Sequence, residues 1–166
     1  MYNININSKI GGLLVFMKVI SLASANITIN NTNRGDIISF GGGGKQIGSI
    51  SYSFQDNLFE MQTTKDGGYA MSHSASKAGT ITISFSQTSE HVDTLCEYLL
   101  WCRDNPELAA AGITIADSTG IINMEAKDCV PQSYPQNELS ESINNRQFTF
   151  LCGVIIPKEY LAGGSR

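Results

Sequence analysis

The run Thr80-Ile81-Thr82-Ile83-Ser84-Phe85-Ser86 places an apolar side chain at every second position and a small hydroxyl at the positions between. Successive side chains of an extended strand point to opposite faces. This period therefore fixes a strand with one apolar and one polar face, and excludes a helix, whose apolar positions recur every three to four residues. The same alternation marks Ile27 and Ile29, Ile38 and Phe40, Ile50, Tyr52 and Phe54, and Phe148, Phe150 and Cys152. Two of these segments share an uncommon second face: Ser49, Ser51 and Ser53 in one, Thr80, Thr82 and Ser84 in the other, small, polar and uncharged.

One segment breaks the period. Val92, Leu95, Cys96, Leu99 and Cys102 form the stripe of an amphipathic helix, with Ser89 as its N-cap and Glu90 and Asp93 favourably placed in its first turn. Asn105 ahead of Pro106 reads as a second cap, with Gly112 as the stop after Ala109-Ala110-Ala111. A strand pair is expected around Ile113 to Ile115 and Ile121 to Val130, joined by a turn over Asp117 to Gly120, and residues 131 to 147 read as polar loop. The chain is thus mostly strand with one helical insert. No repeat or Pro/Ser-rich linker divides it, so 26–166 reads as one domain preceded by an arm or extension, 1–25.

The stretch Ser39-Phe40-Gly41-Gly42-Gly43-Gly44-Lys45-Gln46 tests for a phosphate loop and fails. Ser39 stands where the first glycine is needed and Gln46 where a magnesium-holding hydroxyl is needed, and a strand follows where a helix should open. The glycines read instead as a bend between two strands. Charged residues are 16% of the chain, against about 25% in ordinary soluble domains. Much of its surface is therefore uncharged or covered by other subunits. A net charge of −4 without a basic cluster argues against a sequence-reading or phosphate-gripping nucleic-acid binder, though not against a protein past which nucleic acid slides.

Cys96, Cys102, Cys129 and Cys152 lack metal or redox spacing and read as buried free thiols. His73, beside Ser72 and Ser74, has no nucleophile geometry, because strand neighbours face opposite ways, and His91 stands in no pattern. Arg34-Gly35-Asp36 matches an integrin tripeptide but reads as a turn before a strand. Asn26 and Asn30 open glycosylation sequons that matter only in a secreted protein. Among Asp56, Glu60, Asp66, Glu138 and Glu141 no spacing nominates a catalytic pair. The expectation is no catalytic, cofactor or metal site. Lys9, the apolar run to Leu22 and Ala23-Ser24-Ala25 imitate a secretory signal, but Lys18 divides the run, and neither half reaches the roughly 20 apolar residues of a membrane span. Met17-Lys18-Val19-Ile20 also reads as a normal start, with 1–16 as an extension.

Gly35-Asp36-x-Ile38-x-Phe40, Asp66-Gly67-Gly68, Ala78-Gly79 leading through the alternating strand to Gln87-Thr88-Ser89 before the helix, and Phe148-Thr149-Phe150 together resemble the tail tube proteins of contractile-tailed bacteriophages, across Ala25 to Ile156. That resemblance implies an antiparallel β-sandwich or barrel with one flanking helix. It also implies rings of about six subunits stacked into a hollow tube inside a contractile sheath, as in a virion or a phage-tail-like bacteriocin. Partners would be further copies, sheath, baseplate and tail terminator proteins, with assembly in the host cytoplasm, DNA passing without specific binding, and no membrane. Within that frame Ser49, Ser51, Ser53, Thr80, Thr82 and Ser84 are expected to face the lumen, where hydroxyls without cations would not hold phosphates. Gln55 to Gly68, a hairpin or loop bearing Asp56, Glu60, Lys65 and Asp66 in a charge-poor chain, is expected to meet the adjacent ring. The arm Met1 to Ala25, with Ile10, Leu13, Leu14, Val15, Phe16, Val19, Ile20 and Leu22, is expected to pack on a neighbouring subunit. A secreted β-sandwich adhesin or glycan-binding domain is the competing reading, and an enzyme, resting on the glycine run and scattered Ser, His and Asp, comes last.

Overall fold

A computed structural model describes residues 9–10, 13–14, 25–41, 47–117, 123–136 and 144–158. Its strands are β1 (Lys9–Ile10), β2 (Leu13–Leu14), β3 (Ala25–Asn31), β4 (Asp36–Gly41), β5 (Ile47–Phe54), β6 (Phe59–Thr63), β7 (Tyr69–His73), β8 (Gly79–Ser86), β9 (Ala111–Asp117), β10 (Met124–Pro131) and β11 (Asn145–Pro157). One α-helix, α1 (Glu90–Asp104), lies between β8 and β9. Seven strands form one antiparallel sheet in the order β4-β3-β9-β10-β11-β8-β5, while β1–β2 and β6–β7 are separate two-stranded pairs.

The period-2 residues set the register. Phe40, Ile27, Ile115 and Met124 stand opposite one another across four neighbouring strands, and Ile50, Ile83 and Phe148 do so across the other end. A one-residue slip would turn either row to the polar face, so burial specifies the pairing strongly. Ile27, Ile81, Ile83, Phe85, Phe148 and Phe150 are almost wholly buried, each contributing about 1.5–3 kcal/mol relative to an exposed position.

The sheet is curled. Phe40 belongs to the edge strand β4 and Phe85 to β8 near the opposite edge, yet their rings lie 5.4 Å apart. The imidazole of His91, in the first turn of α1, sits 5.2 Å from Phe40 and 5.9 Å from Phe85 and covers the seam. The bend has a local cause in β10 and β11. Buried positions step from Ala126 to Cys129 in one and from Cys152 to Ile155 in the other, so both strands exchange faces together beside Asp128, whose φ is 54°. The ladder to β9 shifts at the same place, and such a bulge turns a sheet's corner. The halves of one continuous sheet thus face each other across the core, with Val92, Leu95, Tyr98, Leu99 and Cys102 of α1 packed into it. This is the mainly β, antiparallel architecture with a flanking helix that the alternation and the resemblance imply.

Ser89 caps α1 as expected, its hydroxyl accepting from the His91 amide at 3.2 Å. The second helix does not form. Pro106–Leu108 make a single 3-10 turn, the Asn105 side chain reaches back to the Trp101 carbonyl at 3.0 Å, and Gly112 lies inside β9. Alanine's helix preference loses to pairing, because Ile113 and Ile115 are needed opposite Ile29 and Ile27. Residues 145 to 147, expected as loop, are paired with β8 as the start of β11. Residues 118 to 120 of the expected turn, the glycines 42 to 44, Glu138, Glu141 and all of the arm except β1, β2 and Ala25 lie outside the described residues.

Candidate functional site

The six hydroxyl residues singled out by alternation come together as three cross-strand pairs. In the β5–β8 register Ser49 stands opposite Ser84, Ser51 opposite Thr82 and Ser53 opposite Thr80. The outer pairs are hydrogen-bonded, Ser49 Oγ to Ser84 Oγ at 2.7 Å and Ser53 Oγ to Thr80 Oγ1 at 3.0 Å. The next strand extends the face with Gln147, Thr149 and Leu151, opposite Ser84, Thr82 and Thr80. This surface lies on the side of the sheet away from the core and carries no charge on β5 or β8. Ser84 differs from its neighbours in being buried, at 3% exposure. The outer hydroxyls thus partner one another, and β5 and β8 place no cation on this face that could hold a phosphate.

The expected hairpin is present and runs further than anticipated. Its second strand continues to His73, with Phe59 opposite His73, Met61 opposite Met71 and Thr63 opposite Tyr69. The tip follows from Asp66-Gly67-Gly68. The Gly67 amide donates to the Thr64 carbonyl at 3.1 Å, the Thr64 amide to the Gly68 carbonyl at 2.8 Å, and Gly67 takes the positive φ of 80° that glycine tolerates. Asp56, Glu60, Lys65 and Asp66 are all exposed, Asp56 and Glu60 on or beside the first strand and Lys65 and Asp66 at the tip. The feature that reading by charge overlooks is the other face. Phe59, Met61, Tyr69 and Met71 are 64–69% exposed and share one side of the ladder, with Leu58 exposed at its base. A two-stranded ribbon with an uncovered apolar face is marginal alone and marks a contact surface. The alternation of Phe59 with Met61 and Tyr69 with Met71, on either side of an Asp-Gly turn, is the signal that reveals it.

Both edges of the seven-stranded sheet, β4 and β5, lack a further partner strand among the described residues, and Ile37 on β4 is 68% exposed. Open edges invite pairing with another chain unless closed.

The remaining candidates dissolve into structure. Arg34-Gly35-Asp36 is a turn. Gly35 has φ 80°, Arg34 Nε pairs with Asp36 Oδ2 at 2.9 Å, and the guanidinium lies over the Tyr98 and Trp101 rings at 5.8 and 5.5 Å. His73 packs against Phe59 at 5.1 Å and His91 against the core phenylalanines. All four cysteines are buried and unpaired. Among the described residues no cluster of three or more His, Cys, Asp or Glu is placed to hold a metal, and no helix is long and apolar enough to cross a membrane.

A curled sheet with two edges unpaired among the described residues, a hydroxyl face and an exposed apolar ribbon carries surfaces of the kind through which chains associate. Residues 17–158 match the family described as Bacteriophage PhiTE tail tube protein, and the chain belongs to that family. Its role is accordingly structural, in a tail tube. No curated protein sequence matches it significantly. Among solved structures, the fold is similar to a chain of the anti-feeding prophage baseplate at TM-score 0.58 and 10% identity, over 86% of this chain and 97% of that one. It is similar also to the anti-feeding prophage tube terminating cap, at 0.51 and 15%, over 87% and 94%. A chain of an extracellular contractile injection system, the PVC sheath-tube complex in its extended state, aligns at 0.51 and 14% over 84% and 91%.

Proposed function

We propose that the protein forms rings of about six copies that stack into a hollow conduit inside a contractile sheath, and that it has no enzymatic role. The observation that carries this is the paired hydroxyl face of β5 and β8, next to an open sheet edge. Ring closure by joining β5 of one copy to the exposed edge of the next would remove both open edges and turn that face inward as a continuous wall. Ser49, Ser51, Ser53, Thr80 and Thr82 then line the lumen, with Ser84 supporting them from beneath through Ser49. DNA passes this wall without specific binding. The β6–β7 ribbon reaches the adjacent ring, its apolar face supplying contact area and Asp56, Glu60, Lys65 and Asp66 the register.

Sheath, baseplate and tail terminator proteins are the partners of such a tube, the virion tail is its place, and assembly occurs in the host cytoplasm. The similarity to chains from contractile injection systems supports a second setting, the tube of a headless phage-like particle. Negative-stain electron microscopy of the purified protein tests the main reading: rings or tubes with a central hole are expected, and particles that stay monomeric at every concentration overturn it. Attachment of native tubes to a DNA-filled head separates phage from headless particle.

A further inference from the structure

Cys129 on β10 and Cys152 on β11 stand directly opposite one another, and both side chains point into the core, at 1% and 4% exposure. The pair type follows from the neighbouring ladder. The Gln132 amide donates to the Thr149 carbonyl at 2.9 Å, so those two residues are a hydrogen-bonded pair. Hydrogen-bonded and non-hydrogen-bonded pairs alternate along antiparallel strands, which makes Pro131–Phe150 non-hydrogen-bonded, Val130–Leu151 hydrogen-bonded and Cys129–Cys152 non-hydrogen-bonded. Pro131, which has no amide hydrogen to give, fits its assignment. In non-hydrogen-bonded pairs the Cα atoms lie about 4.5 Å apart, inside the range that a disulfide spans. The backbone beside them is irregular, with Asp128 at φ 54° and Gly153 opposite it.

We propose that Cys129 and Cys152 are a redox modification site, held as thiols in a reducing cytosol and closed to a cross-strand disulfide by peroxide once the protein leaves it. The step balances. One thiolate attacks hydrogen peroxide, giving a sulfenic acid and, after protonation, water. The second thiol then attacks that sulfur, the S–S bond forms, the S–O bond breaks, and the oxygen leaves as a second water. The two sulfurs together lose two electrons, which end on the peroxide oxygens. Such a bond ties β10 to β11 beside the corner of the sheet and closes the chain between them into a loop. The facing thiol, and after it burial, push Cys129 above the usual thiol range, while the facing thiol pulls Cys152 below it, so Cys152 is the thiol that attacks peroxide. Both sulfurs are buried, so peroxide reaches them only slowly and closure is gradual. The pairing of the two thiols depends on this chain's core alone, while the change of compartment rests on the proposed assembly in the host cytoplasm; the peroxide experiment tests the pairing without it.

The full-length protein, treated with hydrogen peroxide under native conditions, then unfolded and alkylated, is expected to keep two thiols free and to have lost the mass of two hydrogens. Its non-reduced digest should contain one peptide joining Cys129 to Cys152, released by dithiothreitol. Cys129→Ala and Cys152→Ala should each abolish that peptide, while Cys96→Ala combined with Cys102→Ala should leave it intact. Peptide mapping of the unmodified sequence decides the matter even if a variant fails to fold. Four alkylated thiols, at a peroxide dose that oxidises free cysteine in the same solution, would overturn the proposal, as would a crosslink through Cys96 or Cys102.

Discussion

Asn31 shows how much one buried amide can organise. It is 1% exposed at the end of β3, where its Nδ2 donates to the Leu108 carbonyl at 3.0 Å and to the Tyr98 hydroxyl at 3.3 Å. Its Oδ1 accepts the Asn33 and Arg34 amides, both at 3.0 Å, and so shapes the Arg34-Gly35-Asp36 turn. Asn31→Ala leaves several buried partners unsatisfied, and a loss of about 2–4 kcal/mol is expected from urea unfolding. Tyr98 completes the network by donating to the Ala109 carbonyl at 3.4 Å, and burial, the largest influence on it, pushes its phenol well above the usual 10.0. The unfolded chain releases that proton near 10.0 while the folded one retains it, so above pH 10 the native state binds more protons than the unfolded state. Stability is therefore expected to be complete below pH 10 and to fall as pH rises beyond it. Urea midpoints across that range should fall less steeply for Tyr98→Phe, and identical slopes would contradict the assignment.

Among the elements, the β6–β7 ribbon and the β5–β8 face are the ones proposed to serve assembly rather than folding. Every residue of β6 and β7 is exposed, so Met61→Ser with Met71→Ser should leave the melting temperature of the monomer within experimental scatter while abolishing tubes seen by electron microscopy. Replacing Asp56 and Asp66 by Ala should act more mildly, leaving rings able to form but shortening the stacks. Ser51→Lys tests the lumen. Ser51 is exposed and sits opposite Thr82, so the monomer should fold unchanged, while a ring would gain one inward cation per copy. Assembled tubes should then retain single-stranded DNA at low salt and release it at high salt, as counterion release dictates. Tubes that ignore DNA at every salt concentration would remove β5 from the lumen wall.

At the scale of the whole molecule, the family match begins at residue 17, and the apolar residues ahead of Ile27 belong to an arm proposed to pack on a neighbouring copy. Deleting residues 1–16 is expected to give soluble, folded subunits that no longer polymerise. Tubes that form as before would mark those residues as a dispensable extension, and a chain that cannot fold would assign them to the monomer's own core. Circular dichroism and electron microscopy of the same preparation separate these outcomes.

The sequence alone determined the strands whose period is unbroken, the capped helix, and the hydroxyl face, because each of these is a local pattern that burial must respect. Thr80 to Ser86 could not be turned over without exposing Ile81, Ile83 and Phe85, nor Ile50 to Phe54 without exposing Ile50. The tertiary structure alone decided that the two hydroxyl strands are neighbours in matched register, that β4 curls round to bring Phe40 against Phe85, and that Ala111 and Gly112 enter a strand instead of ending a helix. The same holds for the meeting of Cys129 and Cys152, 23 positions apart in the chain. Periodicity specifies which face of a segment seeks the core. Which segments share that core is settled only by long-range pairing, where the area buried between strands outweighs the preference of any single stretch.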